Sequence, residues 1–335
     1  MLAGIVVSYA HCGQASQGCK MKAAVLDQFG SVDVMQVRDI PIPTIGAGQI
    51  LVEVHATNIN PIDWKMREGQ MAARYGDEFP MILGWDCSGV VTEVADDVSN
   101  FVVGDEVFAR SDVSTGRCYA EYAALNVRTV VEKPSTLSHE EAGALPLVAL
   151  TAINGLLNCA NLRAGQRVLI IGASGGVGTL AVQIAKNMGA HVTGVCSQKN
   201  MDMVALLGAD AVVDYNATDA LQAGELYDIV YDTVGARSYV DAKPALTSDG
   251  TYLTLVPVAG IDFFIPGQTE WEPGKGYFVA WTPTAADLQM VADWAEEGRL
   301  RPVVDSVFSL DQIKDAHLRS QTERAVGKIV IKVRE

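Results

Sequence analysis

The sequence predicts an α/β protein whose second half winds a parallel sheet with helices on both faces, behind a β-rich first third. Three observations carry this. Beyond residue 147, unbroken apolar strands alternate with helical segments, the pattern of a parallel sheet buried on both sides. A glycine-rich turn, Gly172-Ala-Ser-Gly-Gly-Val-Gly178, joins the first of those strands to a helix. Ahead of it, residues 22–131 read as short alternating runs split by Gly, Pro and Asp. The 335 residues fit two domains at ~150 residues each. With 49% hydrophobic and 19% charged residues, the chain can bury cores and is not disordered. Lys and Arg total 25 against 40 Asp and Glu, a net charge of −15. Such a surface repels phosphate backbones and anionic lipid, so no nucleic-acid partner is expected. No apolar run approaches the ~20 residues of a membrane span. A soluble, enzyme-sized protein remains.

Taken in order, residues 1–20 stand apart. The stretch 1–10 (MLAGIVVSYA) is apolar, with no basic segment before it and no A-x-A site after it. Because Met21 opens a clean strand pattern, residues 1–20 are read as a leader without a chemical role. Strands follow at 22–26, 50–56, 89–94 and 106–109. Asn60-Pro-Ile-Asp63 ends a strand and opens a short helix, with Pro61 at the favoured first position. Ser138 and Glu141 form a capping box for a helix running toward 143–146. Strands are then expected at 167–171, 191–195, 211–213, 228–231 and 251–255, with helices at 177–188, 201–207 and 238–246. A helix at 285–297, a strand at 306–308, a helix at 310–320 and a strand at 328–333 close the chain. The cysteines (Cys12, Cys19, Cys87, Cys118, Cys159, Cys196) form no C-x-x-C pair and read as reduced thiols of a cytoplasmic protein.

The glycine turn carries the chemistry. Strand, glycine turn and helix in that order are the context of a dinucleotide fingerprint. Gly175 lets the backbone approach a pyrophosphate, Gly178 lets helix and strand pack closely, and the helix N-terminus supplies donors and a positive dipole end. The usual first glycine is replaced by Ala173, with Gly172 one place earlier. A competing reading uses the same residues: Gly172-Ala-Ser174-Gly-Gly176 matches the G-x-S-x-G nucleophile elbow, with His317 and Asp232 or Asp305 as partners of a serine hydrolase. Against it, no HGGG-type oxyanion loop precedes the turn, and Gly178 has no role in an elbow. About 20 residues past the glycines, an NAD-binding fold carries an acid for the adenosine 2′-hydroxyl. Here the run is Ser197-Gln-Lys199-Asn, which suits a 2′-phosphate and so NADPH. The plainer reading, that Ser197 and Lys199 only cap and solvate the next helix, stays open beside it.

These pieces resemble the medium-chain dehydrogenase/reductase superfamily, in its zinc-independent quinone oxidoreductase and enone reductase branch. The landmarks are Met21-Lys-Ala-Ala-Val, Asn60-Pro-Ile-Asp63, Gly84-Trp-Asp-Cys-Ser-Gly89, Val103-Gly-Asp-Glu-Val-Phe108, Leu145-Pro146, Leu150-Thr-Ala152, the glycine turn, Leu207-Gly-Ala-Asp210 and Gly327-Lys-Ile-Val330. The resemblance implies a Rossmann-type doubly wound cofactor domain at 146–281. It also implies a β-rich GroES-like catalytic domain formed by both chain ends, 21–145 and 282–335, with the site in the cleft between them and a homodimer as the assembly. Carried over residue by residue, Asn60 would lie near the nicotinamide and Thr151 would start the helix beside it. Ser174, Gly175, Gly176 and Val177 would cradle the pyrophosphate. Ser197, Lys199, Tyr215 and Arg324 would hold the 2′-phosphate, and Val234, Gly235, Leu255 and Val256 would flank the cofactor. Lys65, on the short helix near that cleft, would hydrogen-bond a substrate carbonyl or the cofactor ribose; the plainer reading, a surface lysine, stays open beside it. Trp64, Trp85, Phe278 and Trp281 would wall an apolar pocket or pack in the core. Asp63 and Trp85-Asp86 stand where zinc-bearing relatives carry Cys and His-Glu, and residues 110–119 keep only Cys118 of the four-cysteine lobe, so no metal is expected. The function expected is NADPH-dependent, zinc-free reduction of quinones or α,β-unsaturated carbonyls. The alternative is an NADPH-binding sensor or structural protein of the same fold.

Overall fold

The structure, a computed structural model, describes residues 18–111, 116–256, 262–264, 275–279 and 284–334. Its second half is built on a seven-stranded, all-parallel sheet. Across that sheet the order is Ala211–Asp214, His191–Cys196, Arg167–Ile171, Tyr227–Asp232, Leu246–Thr254, Gly276–Val279 and Asp262–Phe264. The chain starts at Arg167–Ile171, winds outward twice, then returns to the other side of that strand. The strand order therefore reverses between Arg167–Ile171 and Tyr227–Asp232, the point beyond whose C-terminal strand ends open α/β sheets hold their ligands in a crevice. Helices Pro146–Ile153 and Gly176–Asn187 pack together over one face, around Val168, Ile170, Leu180, Ile184 and Tyr231.

The first part and the chain end share a second sheet. Its longest strand, Gln49–Ile59, pairs antiparallel with Asp86–Val94 on one side and with Lys328–Lys332 on the other, the latter joining Ile59 to Ile329. The return of the chain end to the first domain is therefore a matter of strand pairing. A small third sheet holds Lys20–Leu26 between Met35–Pro41 and Met81–Ile82.

Three expectations need correction. The first strand begins at Lys20, and Cys19 already accepts a hydrogen bond from Ile42 N (3.2 Å), so the last residues of the expected leader belong to the fold. The helix expected at 238–246 is only Tyr239–Ala242 followed by a tighter turn, Lys243–Ala245, because Pro244 brings no N–H for continuation. The strand expected at 251 begins instead at Leu246. The domain boundary at 281/282, Trp281, Cys12 and residues 1–17 lie outside the described residues. The capping box stands as expected, with Ser138 Oγ accepting from Glu141 N and Glu141 Oε2 accepting from Ser138 N. Among the described residues, no helix is long and apolar enough to cross a membrane.

One buried group gives the fold a pH dependence. His317, on Ile313–Gln321, is fully buried, and its Nδ1 accepts a hydrogen bond from Arg67 Nη1 (3.0 Å). Burial, and then the Arg67 charge, push its pKa down to about 3. An unfolded histidine titrates near ~6.5, so below that pH the unfolded chain binds a proton that the folded chain refuses. Stability is therefore lost as pH falls from 6.5 toward 3. Between pH 7 and pH 5 this one residue should cost about 2 kcal/mol. Melting curves of the His317→Gln variant should fall less over that interval than those of the wild type. Equal falls would show that His317 does not titrate this way.

Candidate functional site

The crevice is built around the glycine turn. Gly172 sits at φ +81°, and its N–H and that of Ala173 both donate to Val195 O, which folds the turn over the neighbouring strand. Gly175 is extended and caps Gly176–Asn187. The first N–H groups of that helix have no intrahelical acceptor and face the crevice end. A Cβ on Gly178 would lie 2.1 Å from Gly172 O, so only glycine lets helix and turn approach this closely. Ser174 is held on both sides. Its Oγ accepts from Asn200 Nδ2 (3.1 Å), and its carbonyl accepts from Gly327 N (2.9 Å). Asn200 thus joins the site. It stands in the run already singled out for Ser197 and Lys199, but had been given no role of its own there.

The rim beside it brings distant residues together. Tyr215 N donates to Cys196 O, which sets Tyr215 next to Ser197 and the turn carrying Lys199. Arg324, 109 residues further on, donates from Nη1 to Tyr215 OH (3.4 Å). Its loop is anchored by Asp305, which pairs with Arg319 (2.6 Å) and accepts from Val326 N. Among the described residues, neither Lys199 nor Arg324 pairs with a carboxylate, although Arg38, Arg167, Lys186 and Arg319 all do.

Opposite, Asp232 is fully buried and organises the next turn. Its carboxylate accepts from Val234 N, Gly235 N and Arg237 N (3.0, 2.8 and 2.8 Å) and from Tyr252 OH. Gly235 has φ +72°, and Val256 packs so close that a Cβ there would meet it at 2.6 Å. Leu255 N is tied to Asp232 O. Ser174 to Val177, Ser197, Lys199, Tyr215, Val234, Gly235, Leu255 and Val256 therefore follow the C-terminal ends of the parallel strands, while Asn60, Thr151 and Arg324 come from other elements.

Behind the glycine turn is a buried polar cluster from the other domain. Asp63, Asp86, Asn58, Asn60 and Lys328 are all essentially without solvent contact. Asp63 accepts from Asn60 N (2.8 Å) and Gly84 N (3.2 Å); burial nonetheless raises its pKa to about 7. Asp86 accepts from Asn58 Nδ2, Asn60 Nδ2 and Leu147 N, and burial raises its pKa as well. Burial lowers Lys328 to about 8 while Asp86 and Asp63 hold it up. Lys328 had been read only as a family landmark, and Asp86 as a landmark at a position where zinc-bearing relatives carry a ligand. No local pattern marks a strand lysine as buried.

Three expected residues, Thr151, Asn60 and Trp85, sit differently from the reading. Thr151 does not start its helix. Pro146–Ile153 begins at Pro146, where Asp86 receives the Leu147 N–H, and Thr151 lies a turn and a half in, donating back to Leu147 O (2.6 Å). Asn60 has both ends of its amide committed, the oxygen to Lys328 and the nitrogen to Asp86. Lys65 is half-buried, with its ammonium 5.4 Å from the Trp64 ring centroid and no ion-pair partner among the described residues. Trp85 is core rather than pocket wall, since it is 1% exposed under Arg110. The hydrolase reading fails. Ser174 is bonded to Asn200, His317 is buried against Arg67 in the other domain, and Asp232 and Asp305 are occupied elsewhere.

Fold and crevice define a two-domain α/β protein with a dinucleotide-type phosphate turn facing a strand-built partner domain. Residues 46–135 match the alcohol dehydrogenase GroES-like domain, and residues 207–331 match the zinc-binding dehydrogenase family. The mitochondrial NAD(P)H oxidoreductase RTN4IP1 of Bos taurus is 35% identical, over 93% of this chain and 89% of its own length. The 2-methylene-furan-3-one reductase of Solanum lycopersicum is 32% identical, over 93% and 79%. Among solved structures, the quinone oxidoreductase of Coxiella burnetii superposes with a TM-score of 0.83 at 31% identity, covering 94% of this chain and all of that one. The chain belongs to the medium-chain dehydrogenase/reductase superfamily.

Proposed function

We propose that this oxidoreductase uses NADPH to reduce quinones or the C=C bond of α,β-unsaturated carbonyls, without zinc. The observation that carries the cofactor choice is the meeting of Arg324 and Tyr215 beside Ser197 and Lys199. It supplies two cations that have no carboxylate partner among the described residues, where an NAD-binding fold would have an acid. The turn fits a pyrophosphate: at Gly175 an added Cβ would make only an ordinary 3.4 Å contact, so its Cα face is open to a ligand. The names of relatives, NAD(P)H oxidoreductase, quinone oxidoreductase and 2-methylene-furan-3-one reductase, point the same way.

When bound, NADPH supplies the hydride; the protein supplies binding and orientation. Ser174 to Val177 would hold the pyrophosphate, Ser197, Lys199, Tyr215 and Arg324 the 2′-phosphate, and Val234, Gly235, Leu255 and Val256 the walls. Zinc independence rests on donor chemistry. The lone pairs of Asp63 and Asp86 that a metal would need are given to backbone and amide N–H groups. Without a metal to polarise an isolated carbonyl, a conjugated acceptor is the easier substrate, because charge can pass to its oxygen. Lys65 is the cation on the short helix assigned to that oxygen. The assembly is proposed to be a homodimer joined through the outer edge of Asp262–Phe264, the last strand of the parallel sheet.

The test is anaerobic NADPH consumption over quinones, alkenals and enones, with a zinc chelator present. With deuterated NADPH and a simple enone, the label should appear only at the β-carbon of a saturated ketone. Label at the carbonyl carbon, or activity abolished by the chelator, would overturn the reading.

A further inference from the structure

The residues that rivet the two domains together converge on one lysine. Gly327 N donates to Ser174 O, and Gly327 sits so close to Val303 O that a Cβ would reach 2.1 Å. The next residue, Lys328, lays its stem on the phosphate turn: a Cβ on Gly176 would stand 3.0 Å from Lys328 Cδ. Its ammonium is turned away from that turn and donates to Asn60 Oδ1 (2.6 Å) and Ile59 O (2.9 Å). Asn60 is the N-cap of Pro61–Arg67, where Asp63 Oδ2 accepts from its backbone N–H (2.8 Å), and its amide is bonded to Lys328 and, through Nδ2, to Asp86 (3.0 Å). Asp86 in turn holds Leu147 N (2.9 Å), the start of the helix that carries Thr151. A continuous line thus runs from the phosphate turn through Lys328, Asn60 and Asp86 to the N-termini of two helices, one bearing Lys65 and the other Thr151.

We propose that Lys328 is a positioning residue: it fixes the Asn60 amide between itself and Asp86, and so holds both helix starts in register with the phosphate turn. The inference rests on the reductase reading for its kinetic consequence. Lys328 acts here through Asn60 and not as a ligand of the phosphates, and the two roles separate in kinetics. A buried ammonium with two fixed acceptors also resists replacement by an apolar chain, since Asn60 Oδ1 and Ile59 O would lose their donor and Asp86 its neighbouring cation.

The experiment compares wild type, Lys328→Met, Asn60→Ala and the double variant in NADPH binding, turnover and amide exchange. Lys328→Met should lower kcat roughly 10- to 100-fold while the NADPH dissociation constant stays within about threefold. In the Asn60→Ala background, the same substitution should change kcat no further. Lys328→Gln, which keeps a donor for Asn60, should recover part of the loss, and it replaces the Met variant if that chain does not fold. A dissociation constant raised tenfold or more with kcat intact would make Lys328 a phosphate ligand and overturn the proposal. Independent, multiplying effects of the two substitutions would do the same. Amide exchange decides the matter even without turnover: Lys328→Met should speed exchange at Leu147 while leaving residues 180–187 protected. Absence of NADPH oxidation by the wild type would sink the reductase reading alone. Unchanged exchange at Leu147 would sink the positioning role alone.

Discussion

Arg324→Ala and Lys199→Ala should each weaken NADPH binding roughly 10- to 150-fold, the loss of one charge-assisted contact worth ~1.5–3 kcal/mol. NADH binding should barely move, because the two cofactors differ only at the 2′-phosphate. The physical ground is the rim where Arg324 meets Tyr215. In a chain of net charge −15, cations without a carboxylate partner among the described residues are poised for an anion from outside. Tyr215→Phe removes a hydroxyl rather than a charge, so its effect should be smaller. Fluorescence titration with both nucleotides reads all three variants. A wild type that prefers NADH would reverse the assignment.

Gly178 and Gly175 should part company when each is changed to alanine. A Cβ at Gly178 would fall 2.1 Å from Gly172 O and 2.8 Å from Ala173 Cα, both backbone atoms that cannot rotate away. The expected penalty is at least the ~1–3 kcal/mol of an overpacked core, read as a marked drop in melting temperature. At Gly175 the added Cβ meets only an ordinary 3.4 Å contact, and the backbone is one that alanine adopts. Gly175→Ala should therefore melt like the wild type and lose affinity for NADPH, because its Cβ would stand where the pyrophosphate must approach. If Gly178→Ala melts normally, the close packing assigned to that glycine is wrong.

Much of the fold could be read from local pattern because local physics decides it. The strand at Arg167–Ile171 has the expected bounds, and helix Gly176–Asn187 lies within one residue of them. Apolar runs, a glycine turn and helical spacing are properties of neighbours in sequence. Where the reading slipped, at Thr151 and the short helix ending at Ala242, a proline or a distant carboxylate moved a boundary.

The sequence by itself determined the parallel sheet, the phosphate turn and the missing acid after the second strand. Each depends on residues a few places apart, whose sterics or charge act without the rest of the chain. Only the tertiary structure decided that Asn60 faces Lys328 across 268 residues, that Asp86 starts the Thr151 helix, and that Arg324 meets Tyr215. A buried ammonium or carboxylate is tolerated only where oppositely charged or hydrogen-bonding groups come within about 3 Å. That condition is met by strand pairing between the two ends of the chain, which no local pattern records.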